Sequence, residues 1–556
     1  MSVLDVKGLR VSYGTRDGRR EVVHGVDVSV GEGEVVALVG ESGSGKSTTA
    51  HALIGLLPEG GRVDGGSISL GGVDISDWGP KRLRSIRGAQ VGLVPQDPVS
   101  SLDPVRPIGV QVGEILRLHS ASRLNGASSG GERDAAKRRT RVLELLQRVG
   151  LDDPALRARQ YPHELSGGMR QRVLIATAIA LRPRLIIADE PTSALDATVQ
   201  RRILDLIDDL RREEGTSVLL VTHDLGVAAD RAQRIVVLNQ GRVVEQGPAS
   251  SILSSPADPY TRQLLADAPA LAPDDFRRPA PPLFLRDASA AAGENPYAVV
   301  AEGLVKEFAV HGRRSEPFRA VDDVSFQVRR GTTHALVGES GSGKTTTARL
   351  VTRFLDPDAG RIELDGIEVA GLKRDGLRQL RRRIQLVYQN PFSSLDPRQS
   401  VAQIVAEPLH NFREGTRTSR RLRAAELIDR VALSADLLER SPRELSGGQR
   451  QRVAIARALA INPDIVVLDE AVSALDVTVQ ARILELLESL QQELGLTYLF
   501  ISHDLAVVRS ISHTVSVMRR GRVVEAGSTE DIFLAPTHEY TRKLLAAVPG
   551  RSEVAA

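Results

Sequence analysis

The chain has 556 residues, of which 41% are hydrophobic and 26% are charged, and this composition excludes fibrous and disordered proteins. Its 73 Lys and Arg residues nearly balance 70 Asp and Glu residues, so there is no general electrostatic case for a nucleic-acid partner. The lack of cysteine excludes disulfides, thiol nucleophiles and Cys-ligated zinc or iron–sulfur sites.

No secretory or membrane-spanning segment is expected. The N-terminal residues mix charged and apolar side chains without the apolar core of a signal peptide. The best apolar candidate, residues 173–181, is stopped by Arg182 and falls short of the roughly 18 residues that a span needs. If this protein works at a membrane, another chain is expected to supply the span.

The chain is an internal duplication. GESGSGKSTTA at residues 40–50 recurs as GESGSGKTTTA at 338–348, and DPYTRQLL at 258–265 recurs as HEYTRKLL at 538–545. Four further motif pairs lie between these in the same order, which indicates a full-length repeat. We therefore predict a first domain at residues 1–267, a Pro/Ala-rich linker at 268–297 and a second domain at 298–556.

The first copy is the longer one between Gln96 and Ser166. Gln96 and Gln389 are 293 positions apart, whereas Ser166 and Ser446 are 280 apart, so the first copy carries 13 extra residues there. The Gly and Ser content of residues 120–134 predicts a surface loop, interpreted as a tolerated insertion.

Apolar runs such as VVALVG and LIIADE alternate with helical patterns in each copy. This alternation predicts an α/β fold with a mostly parallel sheet that is buried on both faces. The stretch from Gln96 to Ser166 lacks such runs and is predicted to be mainly helical. Two subdomains per copy give four folding units, as a prior of roughly 150 residues per unit suggests.

A glycine-rich loop follows the first apolar run of each copy and precedes a helical pattern, which is the setting that a phosphate-binding loop requires. Glycines let backbone N–H groups close around nucleotide phosphates, a lysine reaches the β- and γ-phosphates, and a hydroxyl binds Mg²⁺. The candidate nucleotide-binding residues of these phosphate loops are Gly40, Ser42, Gly43, Gly45, Lys46, Ser47, Thr48, Gly338, Ser340, Gly341, Gly343, Lys344, Thr345 and Thr346.

Two adjacent carboxylates end a later apolar run of each copy, where open α/β sheets bind ligands. Asp189 and Asp469 are expected to hold Mg²⁺ together with the hydroxyls of Ser47 and Thr345, and Glu190 and Glu470 to orient and deprotonate the attacking water.

A histidine follows another apolar run in each copy, where it can contact a γ-phosphate. His223 and His503 each lie 33 residues after the glutamate, and this equal spacing favours a functional role. His24, His51 and His119 lack such support and are interpreted as surface or packing residues.

The sequences LSGGM at 165–169 and LSGGQ at 445–449 lie just before the acidic runs and resemble the signature motif of ABC ATPases. That family implies RecA-like sheet cores with helical signature subdomains, and two copies paired head to tail around two ATP molecules. The resemblance further implies the signature residues Ser166, Gly167, Gly168, Ser446, Gly447, Gly448 and Gln449, the lid glutamines Gln96 and Gln389 as further Mg²⁺ ligands, the D-loop acids Asp196 and Asp476, and the adenine-stacking Tyr13 and Phe308.

Both copies retain the phosphate-loop lysine, the Mg²⁺ acid, the glutamate and the histidine, so we predict two competent ATP sites. Met169 replaces the usual signature glutamine and Phe308 replaces the usual tyrosine. Both changes are expected to alter affinity or rate more than to abolish turnover.

The less universal motifs, QDPVSSLDP, QNPFSSLDP, DPYTRQLL and HEYTRKLL, resemble the ATPase subunits of bacterial dipeptide/oligopeptide importers. This resemblance implies ATP and Mg²⁺ as cofactors, a peripheral position on the cytoplasmic face of the membrane, and an extracytoplasmic substrate-binding protein. It also implies two integral membrane permease subunits whose coupling helices dock near Gln96 and Gln389.

The alternative function is that of a soluble twin-cassette ABC ATPase acting on ribosomes. Such proteins join their cassettes with a long, charged, helical arm, whereas this linker is short and rich in Pro and Ala. The importer is therefore favoured, while its cargo stays open among peptides, glutathione, nickel and haem.

Overall fold

The structure is a computed structural model that describes residues 2–15, 18–123, 131–193, 195–271, 295–309, 317–369, 371–389, 394–473 and 475–550. The chain divides into two compact units, Met1–Leu195 with Val199–Leu271 and Pro549–Ala556, and Asp196–Thr198 with Ala272–Val548. Residues 272–294 of the predicted linker lie outside the described residues, and the domain boundaries stay predictions. Elements before residue 272 are called the first half and those after residue 294 the second half.

The strands of the first half are β1 (Ser2–Thr15), β2 (Gly18–Gly31), β3 (Val35–Val39), β4 (Gly61–Leu70), β5 (Val73–Asp74), β6 (Val91–Val94), β7 (Leu185–Asp189), β8 (Ser217–Val221), β9 (Arg234–Asn239) and β10 (Arg242–Pro248). They form an antiparallel sheet of order β2-β1-β4-β5 and a six-stranded sheet of order β10-β9-β3-β8-β7-β6. The six-stranded sheet is parallel except for β10, which pairs antiparallel with β9.

The helices of the first half are α1 (Lys46–Leu53), α2 (Pro80–Ile86), α3 (Ile108–Arg123), α4 (Gly131–Arg148), α5 (Pro154–Arg157), α6 (Gly167–Ile179), α7 (Ala197–Glu214), α8 (Leu225–Arg231), α9 (Ala249–Ser254) and α10 (Pro259–Ala266). Short 3₁₀ helices span Pro162–Glu164 and Pro269–Leu271.

The strands of the second half are β11 (Tyr297–Phe308), β12 (Phe318–Arg329), β13 (Thr333–Val337), β14 (Ala359–Leu364), β15 (Ile367–Glu368), β16 (Ile384–Val387), β17 (Ile465–Asp469), β18 (Thr497–Ile501), β19 (Thr514–Arg519) and β20 (Arg522–Ser528). They repeat the first half as an antiparallel sheet, β12-β11-β14-β15, and a mostly parallel one, β16-β17-β18-β13-β19-β20.

The helices of the second half are α11 (Lys344–Val351), α12 (Arg374–Arg383), α13 (Val401–Asn411), α14 (Arg417–Arg430), α15 (Gly447–Leu459), α16 (Val477–Leu494), α17 (Leu505–Ile511), α18 (Thr529–Leu534) and α19 (Glu539–Ala546), with 3₁₀ helices at Ala435–Leu437 and Pro442–Glu444. Among the described residues, no helix combines the length and apolarity needed to cross a membrane.

The mostly parallel sheets confirm the predicted α/β core. Every residue of β3, β7 and β8 is buried, as expected for strands that are covered on both faces. The antiparallel sheets were not predicted. In β12 buried and exposed positions largely alternate, which is the pattern of a strand with one solvated face.

The segment after Gln96 is helical in the first half, as predicted, through α3, α4 and α5. The prediction of a loop at residues 120–134 is wrong at both ends, because α3 continues to Arg123 and α4 starts at Gly131. The flanking helices thus extend into the additional sequence, while residues 124–130 lie outside the described residues.

Candidate functional site

The phosphate loop of each half connects a buried strand to a helix N-terminus. In the first half it joins β3 to α1, and Gly40 and Gly45 have positive φ values of 148° and 98°. A Cβ atom on Gly40 would lie 2.2 Å from the carbonyl oxygen of Leu238. In the second half, a Cβ on Gly338 would lie at the same distance from the carbonyl oxygen of Met518. Gly40 and Gly338 are therefore required both for conformation and for space, whereas Gly45 is favoured by its conformation.

The phosphate-loop lysines are buried and bonded to their own loops. Lys46 Nζ donates to the carbonyls of Gly40 and Glu41 at 2.7 and 2.8 Å. Lys344 Nζ repeats these bonds with the carbonyls of Gly338 and Glu339 at 2.7 and 2.9 Å. Burial lowers the pKa of Lys344. The ammonium groups are thus held at the loop, where an anionic phosphate would compensate their burial.

A hydroxyl and a carboxylate meet beside each loop. Ser47 Oγ donates to Asp189 Oδ1 at 3.0 Å, and Thr345 Oγ1 donates to Asp469 Oδ1 at 3.2 Å. Burial raises the pKa of both carboxyls, so each is an acid that gains from a nearby cation. The oxygen donors in each pair suit Mg²⁺.

Glu190 follows the last residue of β7 and adopts the left-handed region, with φ of 46°. Its N–H donates to the carbonyl of Val221 at 2.8 Å. Its carboxylate accepts from Gln96 Nε2 at 2.6 Å and contacts His223 Nδ1 at 2.9 Å. Burial raises the pKa of Glu190, but bonding to His223, the charges of His223 and Lys46, and the Gln96 bond outweigh it, so the net shift is downward.

Glu470 reproduces this arrangement in the second half. Its φ is 48°, and its Oε2 lies 2.6 Å from Gln389 Nε2 and 3.3 Å from His503 Nδ1. The pKa of Glu470 is lowered for the same reasons. Burial lowers the pKa of each histidine, but the glutamate partner raises it above the ordinary value. Each half therefore holds a glutamate that is ionised at neutral pH between an amide and an imidazole.

His51 belongs to the first site, so its interpretation as a surface or packing residue is wrong. Its Nε2 lies 3.5 Å from Asp189 Oδ2. His51 lies four residues after Ser47 on α1, and residues four apart share a helix face. The equivalent residue, Arg349, lowers the pKa of Asp469 through its charge, against the larger effect of burial. The sequence signal was the recurrence of a basic residue at this position of α1 and α11.

The signature serines open helices, as expected. Ser166 Oγ accepts from the N–H of Met169 and Ser446 Oγ from the N–H of Gln449, both at 3.3 Å. Gln449 Oε1 also accepts from the N–H of Ser446 at 2.9 Å, which completes a capping box. Methionine lacks an oxygen acceptor, so Met169 cannot complete the same box in the first half.

The second signature glycine packs tightly on the next helix. A Cβ on Gly168 would lie 2.5 Å from Val199 Cγ1, and one on Gly448 would lie 2.4 Å from Val479 Cγ1. Gly167 and Gly447 are the first residues of α6 and α15 and have more room.

The remaining candidates lie at element ends. Asp476 caps α16 by accepting from the N–H of Val479 at 3.0 Å, and Asp196 accepts from Thr198 Oγ1 at 2.8 Å. Tyr13 lies on β1 opposite Arg20 of β2, and Phe308 ends β11 with 40% of its surface exposed. Thr48 and Thr346 lie in the first turns of α1 and α11.

Within each half, the structure thus brings together the loop lysine, the hydroxyl, both acids, the glutamine and the histidine. In the first half these residues are Lys46, Ser47, Asp189, Glu190, Gln96 and His223. In the second half they are Lys344, Thr345, Asp469, Glu470, Gln389 and His503. Their roles stay predictions. Sequence reasoning did not include His51 and Arg349, nor a tyrosine of each C-terminal motif that bonds to the loop backbone and is described below.

Comparisons with known families match both halves. A model described as "ABC transporter" matches residues 23–193 and 321–473. A model described as "Oligopeptide/dipeptide transporter, C-terminal region" matches residues 244–287 and 524–554.

Curated relatives match over nearly the full length. The chain is 42% identical to the glutathione import ATP-binding protein GsiA of Salmonella paratyphi A, covering 98% of this chain and 89% of the relative. It is also 42% identical to the GsiA protein of Escherichia coli K12, covering 99% and 90%.

Among solved structures, a dimeric ATP-binding cassette in a post-hydrolysis state with ADP and Pi is 31% identical to the chain. It covers 42% of this chain and 98% of its own length, with a TM-score of 0.39.

Proposed function

The chain belongs to the ABC transporter family, and from this premise we propose that it is the ATP-hydrolysing subunit of a membrane importer for dipeptides or oligopeptides. The observation that carries the proposal is that one chain holds two full sets of ATPase side chains, each followed by an oligopeptide/dipeptide transporter C-terminal region. The full-length similarity to ATP-binding proteins of glutathione import supports a short peptide as the cargo class.

We place ATP at each phosphate loop, with the signature of the other half completing the site. Ser446 and Gly448 lie at the N-terminus of α15, where backbone N–H groups attract a phosphate. They would face the γ-phosphate held by Lys46, and Ser166 and Gly168 would face that held by Lys344. ATP then joins the halves, and its hydrolysis lets them part.

We assign the Mg²⁺ sites to Ser47 with Asp189 and to Thr345 with Asp469, with Gln96 and Gln389 as further ligands. The oxygen donors and the raised pKa values of the two aspartates support this assignment. When bound, the ion supplies positive charge to the β- and γ-phosphate oxygens.

Glu190 and Glu470 act as the bases that accept a proton from the attacking water. Gln96 and His223 hold the two oxygens of Glu190, so the carboxylate cannot rotate freely. With Nδ1 of His223 on the glutamate, Nε2 is the imidazole atom that would contact the γ-phosphate. The lowered pKa of Glu190 keeps the base ionised at neutral pH.

A groove of about 1050 Å³ in the second half supports permease docking beside Gln389. It lies between α12 and β16 on one side and α13 on the other, and includes Tyr388, the residue before Gln389. Phe354 and Tyr388 are 50% and 41% exposed there. Exposed aromatic side chains in a concave surface are typical anchors for a partner helix.

Copurification tests the importer. The tagged chain, expressed with its neighbouring genes, is expected to be recovered with two integral membrane proteins after solubilisation in mild detergent. Phe354→Glu is expected to reduce this recovery, whereas Leu422→Glu, which changes a 62% exposed leucine outside the groove, is the matched control. Stable cosedimentation with ribosomes in ATP, without membrane partners, would instead support the ribosome-acting alternative.

A further inference from the structure

Each phosphate loop is bonded to a tyrosine from the C-terminal motif of its own half. The N–H of Glu41 donates to Tyr260 Oη at 3.1 Å, and the N–H of Glu339 donates to Tyr540 Oη at 3.2 Å. The partners are 219 residues apart in the first half and 201 in the second. The contact is thus built twice, although the intervening sequences differ in length.

The N–H of Glu41 belongs to the same peptide unit as the Gly40 carbonyl that accepts a hydrogen bond from Lys46. The carbonyl of Gly40 and the N–H of Glu41 are parts of one planar group. Lys46 Nζ donates to this carbonyl at 2.7 Å, while Tyr260 accepts from this N–H. A rotation of the peptide plane would move both bonds, so the tyrosine fixes the direction in which the carbonyl faces the ammonium.

The tyrosine of the first half comes from a well-anchored helix start. Glu245 of β10 accepts from the N–H groups of Ala257 and Asp258 at 2.8 and 3.1 Å. Asp258 in turn caps α10 by accepting from the N–H of Tyr260 at 2.8 Å. Strand β10, through Glu245, therefore fixes the start of α10 and with it the position of the Tyr260 hydroxyl.

The second half builds the same anchor with a different cap. Glu525 of β20 accepts from the N–H groups of Thr537 and His538 at 2.7 and 3.2 Å. His538 Nδ1 accepts from the N–H of Tyr540 at 3.0 Å. Tyr540 is only 5% exposed, and Arg519 lies 4.8 Å from its ring centroid. Burial raises the pKa of Tyr540 to about 12, so its hydroxyl stays protonated at neutral pH.

We infer that Tyr260 and Tyr540 are positioning residues for ATP binding, and that each C-terminal region sets the geometry of the phosphate loop in its own half. The tyrosine acts through the peptide unit and the lysine, without itself touching the nucleotide. The inference rests on the proposed binding of ATP at these loops and is independent of the cargo and of the permease.

The test measures nucleotide affinity of the purified full chain with a fluorescent ATP analogue. Tyr260→Phe and Tyr540→Phe keep the ring and remove only the hydroxyl. Each is expected to weaken binding at one of the two sites about two- to tenfold, the usual effect of one lost hydrogen bond. The double variant is expected to weaken both sites, and the KM for ATP is expected to rise more than kcat falls.

Tyr498→Phe is the matched control, because its buried hydroxyl donates to the carbonyl of Leu487 at 3.0 Å, away from the loop. It is expected to lower the Tm without changing ATP affinity. Wild-type ATP affinity in both Tyr260→Phe and Tyr540→Phe would overturn the inference. Losses of affinity no larger than that of Tyr498→Phe would also overturn it. If the wild-type chain bound no ATP, the proposed function itself would fail. If the wild-type chain bound ATP and the two variants bound it equally well, only the inference would fail.

Discussion

Glu190 and Glu470 combine an unusual backbone conformation with a tightly held side chain. Non-glycine residues in the left-handed region carry a conformational strain of about 1–3 kcal/mol, and both glutamates adopt it directly after a strand. The strain persists because the N–H bonds to Val221 and Ile501 fix the backbone at the strand ends. The conformation directs the carboxylate out of the sheet and towards the glutamine and the histidine.

Glu190→Gln and Glu470→Gln test whether the two sites are equivalent. Loss of a general base reduces the rate of a site by about 10²–10⁴-fold, so each single variant is expected to lose at least half of the turnover, and both to a similar extent. Steady-state phosphate release from the assembled complex measures this.

Glu213→Gln, at a 63% exposed side chain, is the control and should retain full turnover. If either active-site variant turned over like wild type, the prediction of two competent sites would be wrong.

At this scale the sequence predicts residues whose motif fixes their chemistry, such as Lys46, Ser47 and Asp189. The repeated basic residue marked the position of His51, but its contact with Asp189 could not be predicted, because that contact depends on the direction of a helical side chain relative to a strand far away in sequence. Tyr260 was likewise visible only as part of a repeated motif, since its partner is a backbone N–H 219 residues earlier.

Among the elements, the signature helices depend on close contact with the helix that follows the acidic strand. Gly448→Ala is expected to push α15 away from α16, because its Cβ would lie 2.4 Å from Val479 Cγ1. We expect a destabilisation of about 1–3 kcal/mol, measured by urea unfolding, together with reduced ATP turnover.

Val479→Ala in the same chain removes the clashing methyl groups and is expected to restore much of the lost stability. Gly447→Ala is the control, since its Cβ would meet Leu475 at an ordinary 3.5 Å. Failure of the double variant to recover would show that the steric explanation is incorrect.

The central strand β13 carries a buried histidine that makes the second half sensitive to acid. His334 bonds to Thr514 Oγ1 through Nδ1 at 2.8 Å, while its buried Nε2 has no hydrogen-bond partner among the described residues. Burial lowers the pKa of His334 from 6.5 to about 4. As the pH falls, the unfolded chain protonates this histidine near pH 6.5, whereas the folded chain does so only near pH 4. The free energy of unfolding therefore has its full value above pH 6.5 and decreases as the pH falls towards 4.

His334→Val is expected to remove this dependence, because the equivalent residue in β3 is Val36. Between pH 7.5 and 5.0 the wild-type chain should lose about 2 kcal/mol of unfolding free energy more than the variant. Urea unfolding followed by circular dichroism at the two pH values measures the difference. Parallel losses in both proteins would contradict the assignment.

The parallel strands were predictable because continuous apolar runs mark strands buried on both faces. The antiparallel sheets were not, since β1 pairs with both neighbours through several register shifts. Such irregularities interrupt the simple alternation by which a half-buried strand is recognised. The helical ends of residues 120–134 were not predictable from the Gly and Ser content of this segment, because that content is typical of a loop whereas the flanking helices continue into it.

For the whole molecule, the repeat determines the architecture. Six motif pairs predicted two similar halves, and the two halves show the same strand orders. The proposed pairing of the halves around ATP and the proposed permease contact depend on surfaces formed by more than one folded unit, which the spacing of motifs along one chain does not reveal.

Alkaline extraction tests the proposed peripheral location. Because the proposed attachment is through the permease, we expect the chain to sediment with membranes only when the permease is coexpressed. Sodium carbonate at pH 11 should then release it into the supernatant, with the permease remaining in the pellet as the internal control. Retention of the chain in the carbonate-washed pellet would contradict a purely peripheral attachment.

The residue beside the proposed Mg²⁺ acid differs between the halves, with His51 near Asp189 and Arg349 at the equivalent position near Asp469. If the two halves were separate subunits that associated at random, some dimers would carry His at both of these positions and others would carry Arg at both. Covalent fusion fixes the stoichiometry, so every polypeptide carries one site of each kind. Each half is therefore free to diverge without producing mismatched homodimers.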